Sequence, residues 1–218
     1  MLRLDPPAPE AATHLVALLH GYGADATDLL DVARAWQAAL PQIAVVLPEA
    51  PEPLPHPMLG GAQWFALTHR DPREIATGAA SAAPALLRRL DPELTRIGLG
   101  WDRLILAGFS QGAMMALEAG LRHGPAPCAG ILAFSGRLPD PIPSQPVHAG
   151  ALPPVLLVHG EEDDVVEPWH LEVARDALQT LGCAVETVIL ADVGHWIDPA
   201  GSAAAIRFLS TLTGPSSA

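Results

Sequence analysis

The run Leu104-Ile105-Leu106-Ala107-Gly108-Phe109-Ser110-Gln111-Gly112-Ala113-Met114-Met115 changes character in its middle. Its first four residues are uniformly apolar and short enough to be a buried strand. From Ala113 to about His123 the pattern is helical, and Gly124-Pro125 supplies a stop. Between the two lies Gly108-Phe109-Ser110-Gln111-Gly112, a Gly-x-Ser-x-Gly sequence. A serine on a sharp strand-to-helix turn projects its hydroxyl, and flanking glycines leave room where side chains would clash. Such a serine can also simply cap the helix that follows it. The strand before and the helix after favour the nucleophile.

The same alternation extends in both directions. Leu15–Leu19 reads as a buried strand running into His20-Gly21-Tyr22-Gly23, followed by a helical pattern over Asp25–Ala39 with Leu29, Val32, Ala33 and Trp36 on one face. Ile43–Leu47 is a second strand. Five prolines between 48 and 57 make that stretch an irregular loop. Asp71-Pro72 opens an alanine-rich helical segment reaching about Leu99, with Pro84 expected to break or kink it into two helices. Further strands are expected at Gly130–Phe134, Pro154–His159 and Val185–Leu190, and helices at Pro168–Leu181 and Ile197–Leu212, with a proline-rich loop over 137–154. Strands without polar alternation are covered on both faces. The pattern therefore predicts an α/β protein with a mostly parallel central sheet and helices on both faces. No repeat or linker divides the chain, so residues 1–213 are expected to form one domain and 214–218 a flexible tail.

Composition limits the chemistry. The 218 residues hold 24 acids against 12 basic residues, a net charge of −12, which argues against a nucleic-acid partner, since phosphate binding needs a basic face. All the basic residues are arginine, and neither lysine nor asparagine occurs. A Schiff-base lysine, a phosphate-loop lysine and a Cys-His-Asn peptidase are thereby excluded. No apolar run approaches the roughly 20 residues of a membrane helix, so stable membrane insertion is not expected. Cys128 and Cys183 stand far apart and read as free thiols. Prolines and acids interrupt residues 5–10, where a secretory signal would need an apolar stretch. A cytoplasmic location is expected. Oligomeric state is not legible.

A serine hydroxyl needs a base, and the base needs an orienting acid. With Ser110 on such a turn, the partners should follow in the order acid, then histidine, on loops after later strands. His195, in Ala191-Asp192-Val193-Gly194-His195, follows the strand Val185–Leu190. Glu161, Glu162, Asp163 and Asp164 follow the strand before it, and spacing alone does not choose among them. His20 and His159 end strands ahead of glycines. No metal-binding spacing involves them, and they read as turn residues with hydrogen-bonded rings. His14, His56, His69, His123, His148 and His170 have no constellation around them. No metal is expected.

Four segments in order resemble the phospholipase/carboxylesterase family of α/β hydrolases, which includes the acyl-protein thioesterases. They are Leu19-His20-Gly21-Tyr22-Gly23-Ala24-Asp25, Gly108-Phe109-Ser110-Gln111-Gly112, His159-Gly160-Glu161-Glu162-Asp163 and Gly194-His195. The resemblance runs from about residue 14 to 212. It implies an α/β-hydrolase fold without a large cap and a Ser110–His195–Asp163 triad, since Asp163 stands four residues after the histidine of the His-Gly pair. It implies an oxyanion hole from the backbone N–H groups of Tyr22 and Gln111. Trp64 and Phe65 resemble a pair flanking the acyl pocket, although an aromatic pair in a loop is as readily core packing that pins the loop down, and Val165 is a weaker pocket candidate by the same resemblance. Glu167 stands where relatives commonly carry proline. The implied activity is hydrolysis of small acyl esters, thioesters included, with no cofactor. The alternatives are a lysophospholipase or peptidase on the same residues, or a binding protein that kept the fold.

Overall fold

The structure, a computed structural model, describes residues 1–55, 60–140 and 151–214. Most of the expected loop over 137–154, His56 and Pro57 of the 48–57 loop, and the expected tail beyond Gly214 lie outside the described residues. His148 lies outside them as well.

Among the described residues one sheet has seven strands: β1 (Leu2–Leu4), β2 (His14–Leu19), β3 (Ile43–Leu47), β6 (Leu104–Phe109), β7 (Gly130–Phe134), β8 (Val155–Gly160) and β9 (Val185–Leu190). Two further short strands, β4 (Glu52–Pro53) and β5 (Ala62–Gln63), form a separate antiparallel pair. The order in the large sheet is β1-β3-β2-β6-β7-β8-β9, with only β1 antiparallel. Helices α1 (Leu30–Ala39) and α5 (Pro199–Thr213) cover one face; α2 (Pro72–Arg96), α3 (Gln111–Glu118) and α4 (Trp169–Thr180) cover the other. Strand β2 explains the continuous apolar runs. Leu15, Ala17 and Leu19 pack toward α2 and α3, while Val16 and Leu18 pack toward α1 and α5. Among the described residues no helix is long and apolar enough to cross a membrane.

Several expectations need correction. The helix expected from Asp25 begins only at Leu30. Asp25 Oδ1 accepts the Thr27 N–H at 2.7 Å and Asp28 Oδ2 the Asp25 N–H at 2.9 Å, and such local bonds compete with helix formation. The segment after Asp71 is one 25-residue helix that runs through Pro84 and Pro92. Interior proline costs about 3 kcal/mol. The helix buries Ile75, Leu86, Leu87, Leu90 and Leu94, at about 1.5–3 kcal/mol each, so packing outweighs the lost backbone bonds. Strand β9 is an edge strand with Glu186, Thr187 and Ile189 exposed, and is not covered on both faces. Strand β1 was not expected: three residues carry too little pattern to reveal an antiparallel partner for β3.

The chain passes from β2 outward to β3 and then returns to β6 on the other side of β2. That reversal makes a crevice beyond the carboxyl ends of β2 and β6, where open α/β sheets bind ligands.

Candidate active site

Ser110 follows β6 directly, and the register of β6 on β2, Leu19 opposite Gly108, brings it beside the loop that leaves β2. Its backbone has φ 54° and ψ −117°, a sparsely populated conformation for a residue with a side chain. The flanking structure enforces it. The Ser110 N–H donates to Phe134 C=O at 2.9 Å, and Ser110 C=O accepts from Ala113 and Met114. Gly112 lies so close to β2 that a Cβ there would meet the Leu19 carbonyl and stand 2.6 Å from the His20 carbonyl oxygen. Only glycine lets α3 descend that far onto the sheet.

His195 arrives from the β9 exit loop and Asp163 from the β8 exit loop. The two loops are zipped together: Glu161 N–H donates to Leu190 C=O at 2.8 Å and Glu162 N–H to Val193 C=O at 2.9 Å. Gly160 permits this, because a Cβ there would run into the Val193 carbonyl. His195 Nε2 lies 3.0 Å from Ser110 Oγ, and His195 Nδ1 lies 2.8 Å from Asp163 Oδ2. Carboxylate, imidazole and hydroxyl thus form one continuous hydrogen-bonded chain. Of the four acids in the β8 exit loop, Asp163 alone is buried, and Glu161, Glu162 and Asp164 are exposed.

Asp163 Oδ1 accepts the backbone N–H groups of Val165 at 3.0 Å and Val166 at 2.9 Å. Burial resists ionisation of this carboxyl most strongly. The hydrogen bonds from His195, Val166 and Val165 together outweigh it and hold the group below its ordinary 3.8. His159 is the other ring beside the acid. Its Nε2–H donates to Val166 C=O at 2.7 Å and lies 3.3 Å from Asp163 Oδ2. Burial lowers its pKa, so it stands there as a neutral donor.

Tyr22 lies in the loop leaving β2, and Gln111 is the first residue of α3, where N–H groups have no intrahelical acceptor. Neighbouring N–H groups of the β2 loop are engaged, Gly23 with Ala62 C=O and Ala24 with Gly21 C=O. For the Tyr22 N–H no acceptor occurs among the described residues. The loop itself is pinned by His20, whose Nδ1–H donates to Gly21 C=O at 2.8 Å while its Nε2 accepts the Ala50 N–H at 3.0 Å.

Beside Ser110 opens a cavity of about 460 Å³. Gly21, Tyr22, Gln111 and His195 line it, with Leu67, Ile75, Phe109, Met114, Val165 and Val166 as apolar wall and Arg70, Arg137, Glu167 and His170 as polar wall. Val165 lines this cavity and is 57% exposed. Trp64 and Phe65 do not line it. Both are buried, and both border a separate cavity against α2. Their polar groups are held by hydrogen bonds. The Gln111 side chain accepts the Trp64 N–H at 2.9 Å and donates to Phe65 C=O at 2.7 Å, and Trp64 Nε1–H donates to His20 C=O at 2.8 Å. Sequence reasoning passed over Arg137, His170 and the Gln111 amide. Arg137 stands three residues past the end of β7, on the side of the sheet where ligands bind, and that position was a usable signal.

An open, mostly parallel sheet covered on both faces, with a serine turn after β6, is the α/β-hydrolase fold. The chain belongs to the phospholipase/carboxylesterase family, whose pattern it matches over residues 7–213. It is similar to esterase YpfH of Escherichia coli, 31% identical over 189 residues that span 86% of this chain and 78% of the relative. It is also similar to acyl-protein thioesterase 1 of Schizosaccharomyces pombe, 32% identical over 75% of this chain and 73% of that one. Among solved structures, esterase PE8 superposes with a TM-score of 0.88 at 39% identity, covering 97% of both chains.

Proposed function

We propose that the protein hydrolyses carboxylic esters of small acyl compounds, thioesters included, through an acyl-enzyme on Ser110. The observation that carries this reading is the unbroken chain Asp163 Oδ2···His195···Ser110 Oγ, with both links at or below 3.0 Å. His195 Nδ1–H donates to Asp163, which leaves Nε2 to accept the hydroxyl proton as Ser110 Oγ bonds to the acyl carbon. The carbonyl oxygen gains the charge and is met by the N–H groups of Tyr22 and Gln111. The imidazolium then gives its proton to the departing alkoxide or thiolate, breaking the ester bond. Water, losing its proton to the same Nε2, attacks the acyl-enzyme, and the proton returns to Ser110 as the acid leaves.

Asp163 stays ionised because its own hydrogen bonds overcome burial, so it can support the charged imidazole throughout. The apolar wall of Leu67, Ile75 and Met114 suits an acyl chain. The relatives named esterase and acyl-protein thioesterase support oxygen and sulfur leaving groups alike. We place the enzyme in the cytoplasm on the strength of its two buried free thiols, Cys128 and Cys183.

The test is p-nitrophenyl ester turnover over a series of acyl lengths, run beside an acyl-thioester and a serine-directed fluorophosphonate label. Ser110→Ala should lose turnover and labelling while keeping a native circular dichroism spectrum. More than a few per cent of residual turnover in that folded variant would overturn the nucleophile.

A further inference from the structure

The chain has twice as many acids as arginines, 24 against 12, and several arginines are ion-paired, Arg3 with Glu93 and Arg96 with Asp5 among them. Arg137 is not among these, and its place is telling. It lines the cavity that holds Ser110. Its Nε is buried without any hydrogen-bond acceptor, and no carboxylate lies within ion-pair distance among the described residues. Burial lowers its pKa, the more distant Glu167 opposing, but does not bring so strong a base near neutrality. A buried N–H without an acceptor is costly.

The backbone holds Arg137 there. Gly136, the residue before it, packs on the nucleophile turn, its Cβ position 3.4 Å from Ser110 C=O. A second arginine, Arg70, lines the same cavity, with its N–H fixed by Glu74 Oε2 at 2.7 Å. Two other groups of the wall bear on the charge. Glu167 is exposed and turned to Trp169, whose Nε1–H it accepts at 3.2 Å. His170, buried next to it, is held to about 4 by burial and by Arg137, so it is uncharged near neutrality.

We propose that this cavity selects esters carrying a second, anionic group, a carboxylate that docks on Arg137 with Arg70 assisting while Ser110 attacks the ester carbonyl. The inference rests on the ester-hydrolase reading and adds the substrate class. A carboxylate matches the planar fork of a guanidinium with two parallel hydrogen bonds, which Arg137, lining the cavity, can offer through its terminal nitrogens. The carboxylate can belong to the acid or to the alcohol part of the ester, and two matched pairs of substrates separate these sources.

The first pair is monomethyl adipate against methyl hexanoate, which puts the charge on the acyl side. The second is 6-acetoxyhexanoate against hexyl acetate, which puts it on the leaving group. Turnover is followed by titration of released acid at neutral pH, and the quantity read is the charged-to-neutral ratio of kcat/KM. In Arg137→Gln that ratio should fall at least about tenfold in one pair or the other, the loss expected for a charged hydrogen bond. Arg137→Lys should keep part of it, and Glu167→Gln should raise it. Free adipate should inhibit the unmodified enzyme where adipamide does not, a measurement that needs no folded variant. A ratio unchanged within twofold in both pairs, or equal inhibition by adipate and adipamide, overturns the anion site while leaving the hydrolase reading intact. Failure to turn over any of the four esters, with no fluorophosphonate labelling, brings down the hydrolase reading, and the anion site with it.

Discussion

Gly112→Ala sets two effects of known size against each other. Alanine is the better helix former by up to about 1 kcal/mol, and Gly112 lies inside α3, so propensity alone calls the change stabilising. The added methyl, however, meets two backbone carbonyls, Leu19 and the His20 oxygen at 2.6 Å. Carbon and carbonyl oxygen pack at about 3.3 Å or more, so α3 must retreat by roughly 0.7 Å from the His20 contact alone. Neither carbonyl can give way. Leu19 is paired with Gly108 in the sheet centre, and His20 C=O is held by Trp64 Nε1. Overpacking of this kind costs about 1–3 kcal/mol, more than alanine returns. The retreat also carries Ser110 away from His195, and a displacement near 1 Å costs about 10²-fold in rate. Urea melts followed by circular dichroism, beside kcat/KM for p-nitrophenyl acetate, read both effects. A variant as stable and as active as the parent would show that the close approach of α3 to β2 does not position the nucleophile.

Asp163→Asn should lower turnover by about 10² or more, whereas Asp164→Asn, on an exposed carboxylate, should not; equal effects in the two would refute the choice of acid. Gln111→Ala keeps the backbone N–H but removes both amide bonds to residues 64 and 65. Its kcat should fall and its protease sensitivity near Trp64 rise, and a normal kcat would separate the loop from the catalytic geometry. The folded value of His170, about 4, lies below the ordinary 6.5. The unfolded chain therefore takes up that proton first as pH falls. The stability involved is fully present above about 6.5 and is lost between there and about 4, up to roughly 3 kcal/mol. His170→Gln should flatten the pH dependence of the urea midpoint across that window, and an unaltered slope would mean that His170 is not held neutral in the folded state.

The layered fold was legible because β2, β3, β6, β7 and β8 are buried on both faces and so spell continuous apolar runs. Strand β9 departs from that rule as an edge, and β1 is too short to carry any pattern. Pro84 misled for a different reason. A local rule about proline does not govern a helix whose stability comes from a long buried face. At the site, the serine turn and the histidine loop could be read locally, but the four acids after β8 differ only in burial. Two N–H groups reach back to Asp163 Oδ1 and bury it, a consequence of how the loop folds and not of composition. For Trp64 and Phe65 resemblance points to the pocket and residue type to loop packing, and the sequence does not choose between them. Their backbone groups are spoken for by a glutamine 47 and 46 residues away, a contact that only the fold creates.

That glutamine has a consequence for how the enzyme fails. Gln111 is fully buried, and among the described residues its amide bonds only to the backbone of residues 64 and 65. If that segment lifts away, two polar atoms are stranded in the interior, His20 C=O loses its donor, and the start of α3 loses its anchor. An intermediate state with a loosened segment and a working serine is therefore penalised at three places at once. A preparation that has lost half its activity on warming should then consist of fully competent and wholly inert molecules. Its titre of fluorophosphonate-reactive serine should drop in proportion to its rate, with KM unchanged.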